Sequence, residues 1–156
     1  VSVFLMVFVG IIFFFPEGGG YFIEYANFEP ADNLKTPEHI APSWYFGAFY
    51  AMLRAVPSKG MGVIVMAGAI AILFILPWLD RSNVKSWRFK GMYSKVAIVS
   101  FGIAFAVLTW LGTQPATPGY TILARVMTVV YFLFFLAMPF YSKYEKTKPV
   151  PERIGE

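Results

Sequence analysis

The chain has 156 residues, 58% of them hydrophobic and 19% aromatic, with only 14% charged and a formal net charge of +4. A water-soluble domain of this length has too little interior to bury so much apolar surface, and the expected solvent is a bilayer. The lack of cysteine excludes a disulfide framework, thiolate metal sites and iron–sulfur ligation, and a single histidine cannot supply a pair of axial haem ligands.

Taken in chain order, residues 1–15 are apolar but about a turn short of a full crossing. The chain starts on Val1 with neither an initiator methionine nor a basic flank, which reads as an interior point of a longer chain or a processed start. Pro16 and Gly18, Gly19 and Gly20 end this first helix, because proline cannot continue the hydrogen-bond ladder and glycines favour a turn. Residues 60–79 carry no charge and, at about 1.5 Å per residue, are expected to cross a hydrocarbon core of about 30 Å. Residues 96–112 and 120–140 are two further spans, the last interrupted only by Arg125, placed near enough to its helix end to snorkel. The expected fold is an all-α membrane protein with four transmembrane helices. Gly62, Ala67, Ala71, Gly102 and Ala106 are the small residues expected to let helices approach closely.

Charge divides unequally among the connections. Residues 16–59 hold Glu17, Glu24, Glu29, Asp32 and Glu38 against three bases, whereas residues 80–95 hold Arg81, Lys85, Arg88, Lys90 and Lys95 against Asp80. The positive-inside rule places the basic loop in the cytoplasm, and two more crossings return the tail, residues 141–156, to that side. The acidic connection is then external. Because the basic loop abuts two spans and contains Trp87 and Phe89, it reports topology and not a nucleic-acid surface.

At 44 residues the outer loop, 16–59, far exceeds ordinary connections of about 4 to 6 residues. Its second half is aromatic and aliphatic, which argues against disorder. Phe49, Met52, Leu53 and Val56 share one face at helical spacing, opposite a stripe of Gly47, Ala51, Arg54 and Ser58. With Pro42 at its entry and Pro57 at its exit, a short helix lying on the membrane surface is expected. Trp44 and Tyr45 suit two roles there: interfacial anchors, or flat walls for an amphipathic ring with an apolar tail, such as a quinone. Composition is common to both.

The stretch Thr36-Pro37-x-His39-Ile40-x-Pro42-x-Trp44-Tyr45-Phe46, then Phe49-Tyr50-Ala51-x-Leu53-Arg54-x-x-Pro57-x-Lys59, resembles the C-terminal half of cytochrome b from quinol–cytochrome c oxidoreductases. "LPWLDRS" at 76–82 is similar to the family's next helix end, and "KYEKTKPVPERI" at 143–154 to its bacterial respiratory members. The resemblance implies that the outer loop carries much of the quinol-oxidation pocket, with Ile40, Pro42, Ser43, Trp44, Tyr45, Phe46, Phe49 and Tyr50 as quinol-binding residues. Met66 adds at most apolar wall, and Arg54 and Lys59 are expected to hold the surface helix to neighbouring loops. Most relatives carry a glutamate where this chain has Ser43. A hydroxyl cannot act as a carboxylate base near neutral pH, so the catalytic proton acceptor is left unassigned, with Glu38 the nearest acid in sequence and His39 at a motif position.

The resemblance further implies two b-type haems on an N-terminal half of cytochrome b outside this chain, and no cofactor or metal ligated by this segment. Its partners are then that N-terminal half, the iron–sulfur protein, cytochrome c1 and membrane lipid in a dimeric complex, with no nucleic acid. The setting is the bacterial inner membrane, with the motif loop periplasmic and the tail cytoplasmic, and proton release coupled to electron transfer. A separately encoded split subunit and a non-catalytic membrane scaffold, hinted at by Ser43, are the other readings.

Overall fold

The computed structural model describes residues 1–23, 25–36 and 40–152, and among them every regular element is helical. The chain divides into two compact units, residues 1–38 and 39–156.

In the first unit, α1 (Ser2–Phe14) is apolar on every side and none of its residues is buried. It ends where Pro16 removes the next donor, the last amide in register being that of Phe15, which bonds the Ile11 carbonyl at 2.9 Å. Gly18, Gly19 and Gly20 follow with φ of 56, 65 and 93°, left-handed values that a side chain resists. Two short 3₁₀ turns, Gly18–Gly20 and Tyr25–Phe28, carry the loop onward.

The second unit contains α2 (Gly47–Ala55), α3 (Lys59–Phe74), α4 (Leu76–Leu79), α5 (Met92–Thr113) and α6 (Pro118–Tyr144). Helices α5 and α6, with 22 and 27 residues, are long and apolar enough to cross a membrane. They contain the expected spans 96–112 and 120–140 and extend them at both ends. Pro118 opens α6, and the Thr117 side chain accepts a bond from the Tyr120 amide.

The apolar run 60–79 departs from expectation. Its 16-residue α3, about 24 Å long, stops at Ile75, and α4 restarts one residue later. Pro77 is the cause, since it has no amide to donate to the Leu73 carbonyl and its ring crowds that position. The described helices therefore include two of membrane-spanning length, beside the shorter apolar helices α1 and α3.

Most side chains on α3, α5 and α6 are apolar whether buried or exposed: Val63, Phe74, Ile103, Val129 and Leu136 are all more than half exposed. That pattern suits lipid outside and helix packing inside. The interior is a seam of Met52, Leu108, Leu111, Tyr131 and Phe135, with alanines from α2, α3, α5 and α6 between them. Tyr131 donates its hydroxyl proton to the Ala69 carbonyl at 2.8 Å, tying α6 to α3 through a buried bond. Around Phe101 cluster Tyr131, Phe134 and Phe135, at ring-centroid distances of 5.2, 4.6 and 5.5 Å.

The two ends of the bundle are held differently. At one end Arg125 donates from Nε to the Ala55 carbonyl at 2.7 Å. At the other, Glu145 accepts from the Ser94 amide at 3.1 Å and from its hydroxyl at 2.7 Å, and the Arg81 amide donates to Ser142. The basic connection and the tail thus share one end of the unit, as an even number of intervening crossings requires.

Candidate functional site

All eight quinol-site candidates lie in the second unit, on one continuous stretch. Ser43 is extended, with φ −53° and ψ 148°, and its carbonyl accepts from the Phe46 amide at 2.9 Å. That bond closes the 3₁₀ turn Trp44–Phe46, which runs directly into α2 at Gly47. A turn tighter than an α-helix rotates successive side chains more coarsely, so Trp44 and Tyr45 swing outward while Phe46 stays half-buried. The Ser43 side chain makes no capping bond and is exposed.

The eight residues separate into a rim and a base. Ile40, Ser43, Trp44 and Tyr45 are the exposed rim, and the indole and phenol rings meet edge to face at 5.8 Å. Pro42, Phe46, Phe49 and Tyr50 are half-buried. Phe46 packs on Phe49 at 5.8 Å, and Phe49 meets Phe105 of α5 edge-on at 6.1 Å, which joins the loop to the aromatic cluster of the bundle. Tyr50 lies under the Arg54 guanidinium, 4.8 Å from its ring centroid.

The helix beneath them is seated in the bundle by its small residues and Met52, where the sequence pattern predicts a helix lying on the membrane surface. Gly47, Ala48, Ala51 and Ala55 are buried together with Met52, whereas Phe49, Leu53 and Val56 are only partly covered. The stripe of small residues is the contact face because it lets backbones meet. A Cβ on Gly112 would sit 2.3 Å from the Gly47 carbonyl oxygen, and one on Gly62 would sit 2.6 Å from that of Leu53. So α2 packs into the groove between α3, α5 and α6 and does not simply rest on a lipid surface. Of the small residues expected at helix contacts, Gly62 is buried, but Ala67, Ala71, Gly102 and Ala106 are not. Gly102 has nothing within 4 Å of its Cβ direction.

Two arginines complete the seat. Arg54 Nη2 donates to the Leu111 carbonyl at 2.7 Å, a second bond to an oxygen that also accepts from the Gln114 amide at 3.1 Å. Arg125 donates to the carbonyl of Ala55, the last residue of α2, where an acceptor would otherwise be orphaned. Lys59, expected to share this duty, is exposed and forms no ion pair among the described residues. Met66 is half-buried on α3. Glu38 and His39 lie outside the described residues. Sequence reasoning missed Gly112, for which the only signal was a glycine near the end of an apolar run.

Three cavities of this unit open elsewhere. A water-sized one, about 10 Å³, adjoins Arg54 and Leu111, an apolar one of about 340 Å³ adjoins Arg125, and a mixed one of about 340 Å³ lies under the basic connection. None is lined by residues 40–50. What these residues present is an aromatic surface, two exposed rings set edge to face above the half-buried Phe46 and Phe49, with exposed Ser43 at its edge. Among the described residues no group of three or more His, Cys, Asp or Glu side chains gathers as a metal site.

Residues 30–132 match the family model described as cytochrome b(C-terminal)/b6/petD. Cytochrome b of Allochromatium vinosum is 56% identical over 99% of this chain, and that of Rhodospirillum rubrum 44% over 99%, these matches covering 38% and 37% of the respective relatives. A cytochrome b/c1 of Bradyrhizobium diazoefficiens is 39% identical over 100% of the chain and 22% of the relative. Among solved structures, a chain of a hyperthermophilic respiratory Complex III superposes with a TM-score of 0.83 at 38% identity, over 92% of this chain and 35% of that one. With its apolar spans, its seated motif helix and these relatives, the chain belongs to the cytochrome b(C-terminal)/b6/petD family, as a C-terminal segment of a membrane protein spanning little more than a third of the cytochrome b relatives' length.

Proposed function

We propose that this segment forms one wall of the outer-side quinol-oxidation pocket of a respiratory quinol–cytochrome c oxidoreductase, and that the facing wall comes from the part of cytochrome b that precedes it in the relatives. The observation that carries this reading is the aromatic wall itself. Phe49 on α2, and Trp44, Tyr45 and Phe46 on the turn that leads into it, are tied to a helix set backbone-to-backbone by Gly47 and Gly112, which positions the rings without leaving them to a 44-residue loop. Rings positioned in advance lower the ordering cost of binding a planar ring.

Quinol oxidation releases two electrons and two protons. The proposed electron acceptors are the iron–sulfur protein and a b-type haem bound by the absent part of cytochrome b; this chain, with one histidine and no cysteine, has no ligand pair for one. The contribution of this chain is to orient the ring and to offer polar atoms where protons leave. Ser43 Oγ can accept or relay a hydrogen bond but cannot hold the proton as a base, so the proton passes to water or to another titratable group. Four crossings are proposed, the second of them made by α3 and α4 across the Pro77 break, and the excess of bases between α4 and α5 supports a periplasmic motif loop, with the basic connection and tail on the cytoplasmic side of a bacterial inner membrane. Cytochrome c1 and a second copy of the complex complete the proposed assembly, which releases protons outside.

Tyr45→Ala tests this reading in the intact complex, because Tyr45 is 63% exposed and its removal leaves the helix seat untouched. Quinol-dependent cytochrome c reduction is expected to fall about tenfold or more at normal haem content. A second reading, a non-catalytic scaffold, is favoured by Ser43 alone; unchanged turnover in both Tyr45→Ala and the double variant Tyr45→Ala with Phe49→Ala, in a fully assembled complex, would establish it.

A further inference from the structure

The basic connection between α4 and α5 roofs a cavity of about 340 Å³ at the end of the bundle away from the aromatic wall. Its lining changes character along the helix axes. Ile98, Phe134 and Met138 make an apolar floor, and Lys85, Lys90, Trp87 and Tyr141 stand at the mouth. From Phe134 to Tyr141 is about 10 Å along α6, roughly the distance from acyl chains to head groups.

The charges at the mouth are unequal. Lys90 is ion-paired with Asp80, which holds its ammonium in place while leaving it further protons to donate. Lys85 is exposed and forms no ion pair among the described residues. Glu145, the next acid nearby, is already bonded to Ser94. Among the lining residues two lysines face the one carboxylate of Asp80, with Glu145 keeping its charge outside the lining, and the connection above carries five bases against one acid.

We propose that this cavity binds one anionic phospholipid, its phosphate between Lys85 and Lys90 and one acyl chain along Ile98, Phe134 and Met138. Basic recesses between membrane helices select anionic head groups, and a choline cation would be repelled by the same lysines. Trp87 and Tyr141 supply amphipathic rings at the depth where head group meets chain. A free phosphate would satisfy the lysines and leave the floor unfilled. The site stands apart from the quinol reading and does not depend on it.

The test uses the detergent-purified, delipidated full complex, titrated with phosphatidylglycerol or phosphatidylcholine bearing brominated chains. Binding is read as the tryptophan quenching that disappears in Trp87→Phe. Phosphatidylglycerol is expected to bind about fivefold or more tighter than phosphatidylcholine, and Lys85→Gln to remove that preference while leaving phosphatidylcholine unchanged. Ile98→Phe, which fills the floor without adding a fluorophore to the readout, is expected to abolish the Trp87 signal for both lipids at normal assembly. Equal affinities for the two lipids, no effect of Lys85→Gln, or full displacement by millimolar inorganic phosphate would each overturn the proposal, the last by revealing a free-anion site.

Discussion

Arg54 ends its side chain on the Leu111 carbonyl and lays its guanidinium over Tyr50, so one residue fastens α2 to α5 and steadies a member of the proposed pocket. Its Nε is buried without a protein partner, beside the water-sized cavity lined by Leu111 and Thr121. A planar fork can serve all of these directions at once, and an ammonium cannot. Arg54→Lys is therefore expected to lower stability nearly as much as Arg54→Met, by about 1.5 to 3 kcal/mol. Thermal unfolding of the purified complex by intrinsic fluorescence measures this. A Lys variant indistinguishable from wild type would show that charge alone suffices. At this scale the sequence was informative about residue type and silent about partner. A basic residue within the motif signalled an anchor, but no spacing rule links position 54 to a carbonyl 57 residues away.

Helix α2 shows where periodicity helps and where it misleads. The apolar repeat Phe49, Met52, Leu53, Val56 correctly announces a helix, and the structure forms one over Gly47–Ala55. The repeat does not say which face is buried: of its members only Met52 is fully covered, and the rest of the contact is glycine and alanine, which let backbones come close. The same physics separates two glycines of α5. Gly112→Ala would place a methyl group against the Gly47 carbonyl, which is backbone and cannot yield, and is expected to cost about 3 kcal/mol or to block assembly. Gly102→Ala meets open space and should be neutral or stabilise by up to about 1 kcal/mol through helix propensity. Comparing thermal midpoints and yields of the two variants checks the contrast. The apolar run 60–79 was legible as a unit, yet the break at Ile75 was written in plain view by Pro77.

Over the whole molecule, hydropathy and charge asymmetry were the readable signals, because a bilayer imposes both along the chain. They announced α5, α6 and a tail that returns to the basic connection, and the bonds from Glu145 to Ser94 and from Arg81 to Ser142 bear out that shared end. A pocket of the kind proposed, with its facing wall on chain outside this segment, leaves no such trace, which is why the resemblance and not the periodicity pointed to a site. Since the chain has no cysteine, single substitutions report position cleanly. Lys85→Cys and Lys146→Cys are expected to react with an impermeant maleimide from one face of the membrane, and Ala116→Cys from the other. Labelling of all three from one face would contradict the bundle.

The seat formed by Gly47 and Gly112 has a consequence for variation. Where main chain rests on main chain, the spacing of the platform is indifferent to what grows from its far surface. Natural diversity or directed selection can thus rewrite Trp44, Tyr45 or Ser43 while the foundation stays put, whereas a single extra methyl at the hidden junction would move every one of them together.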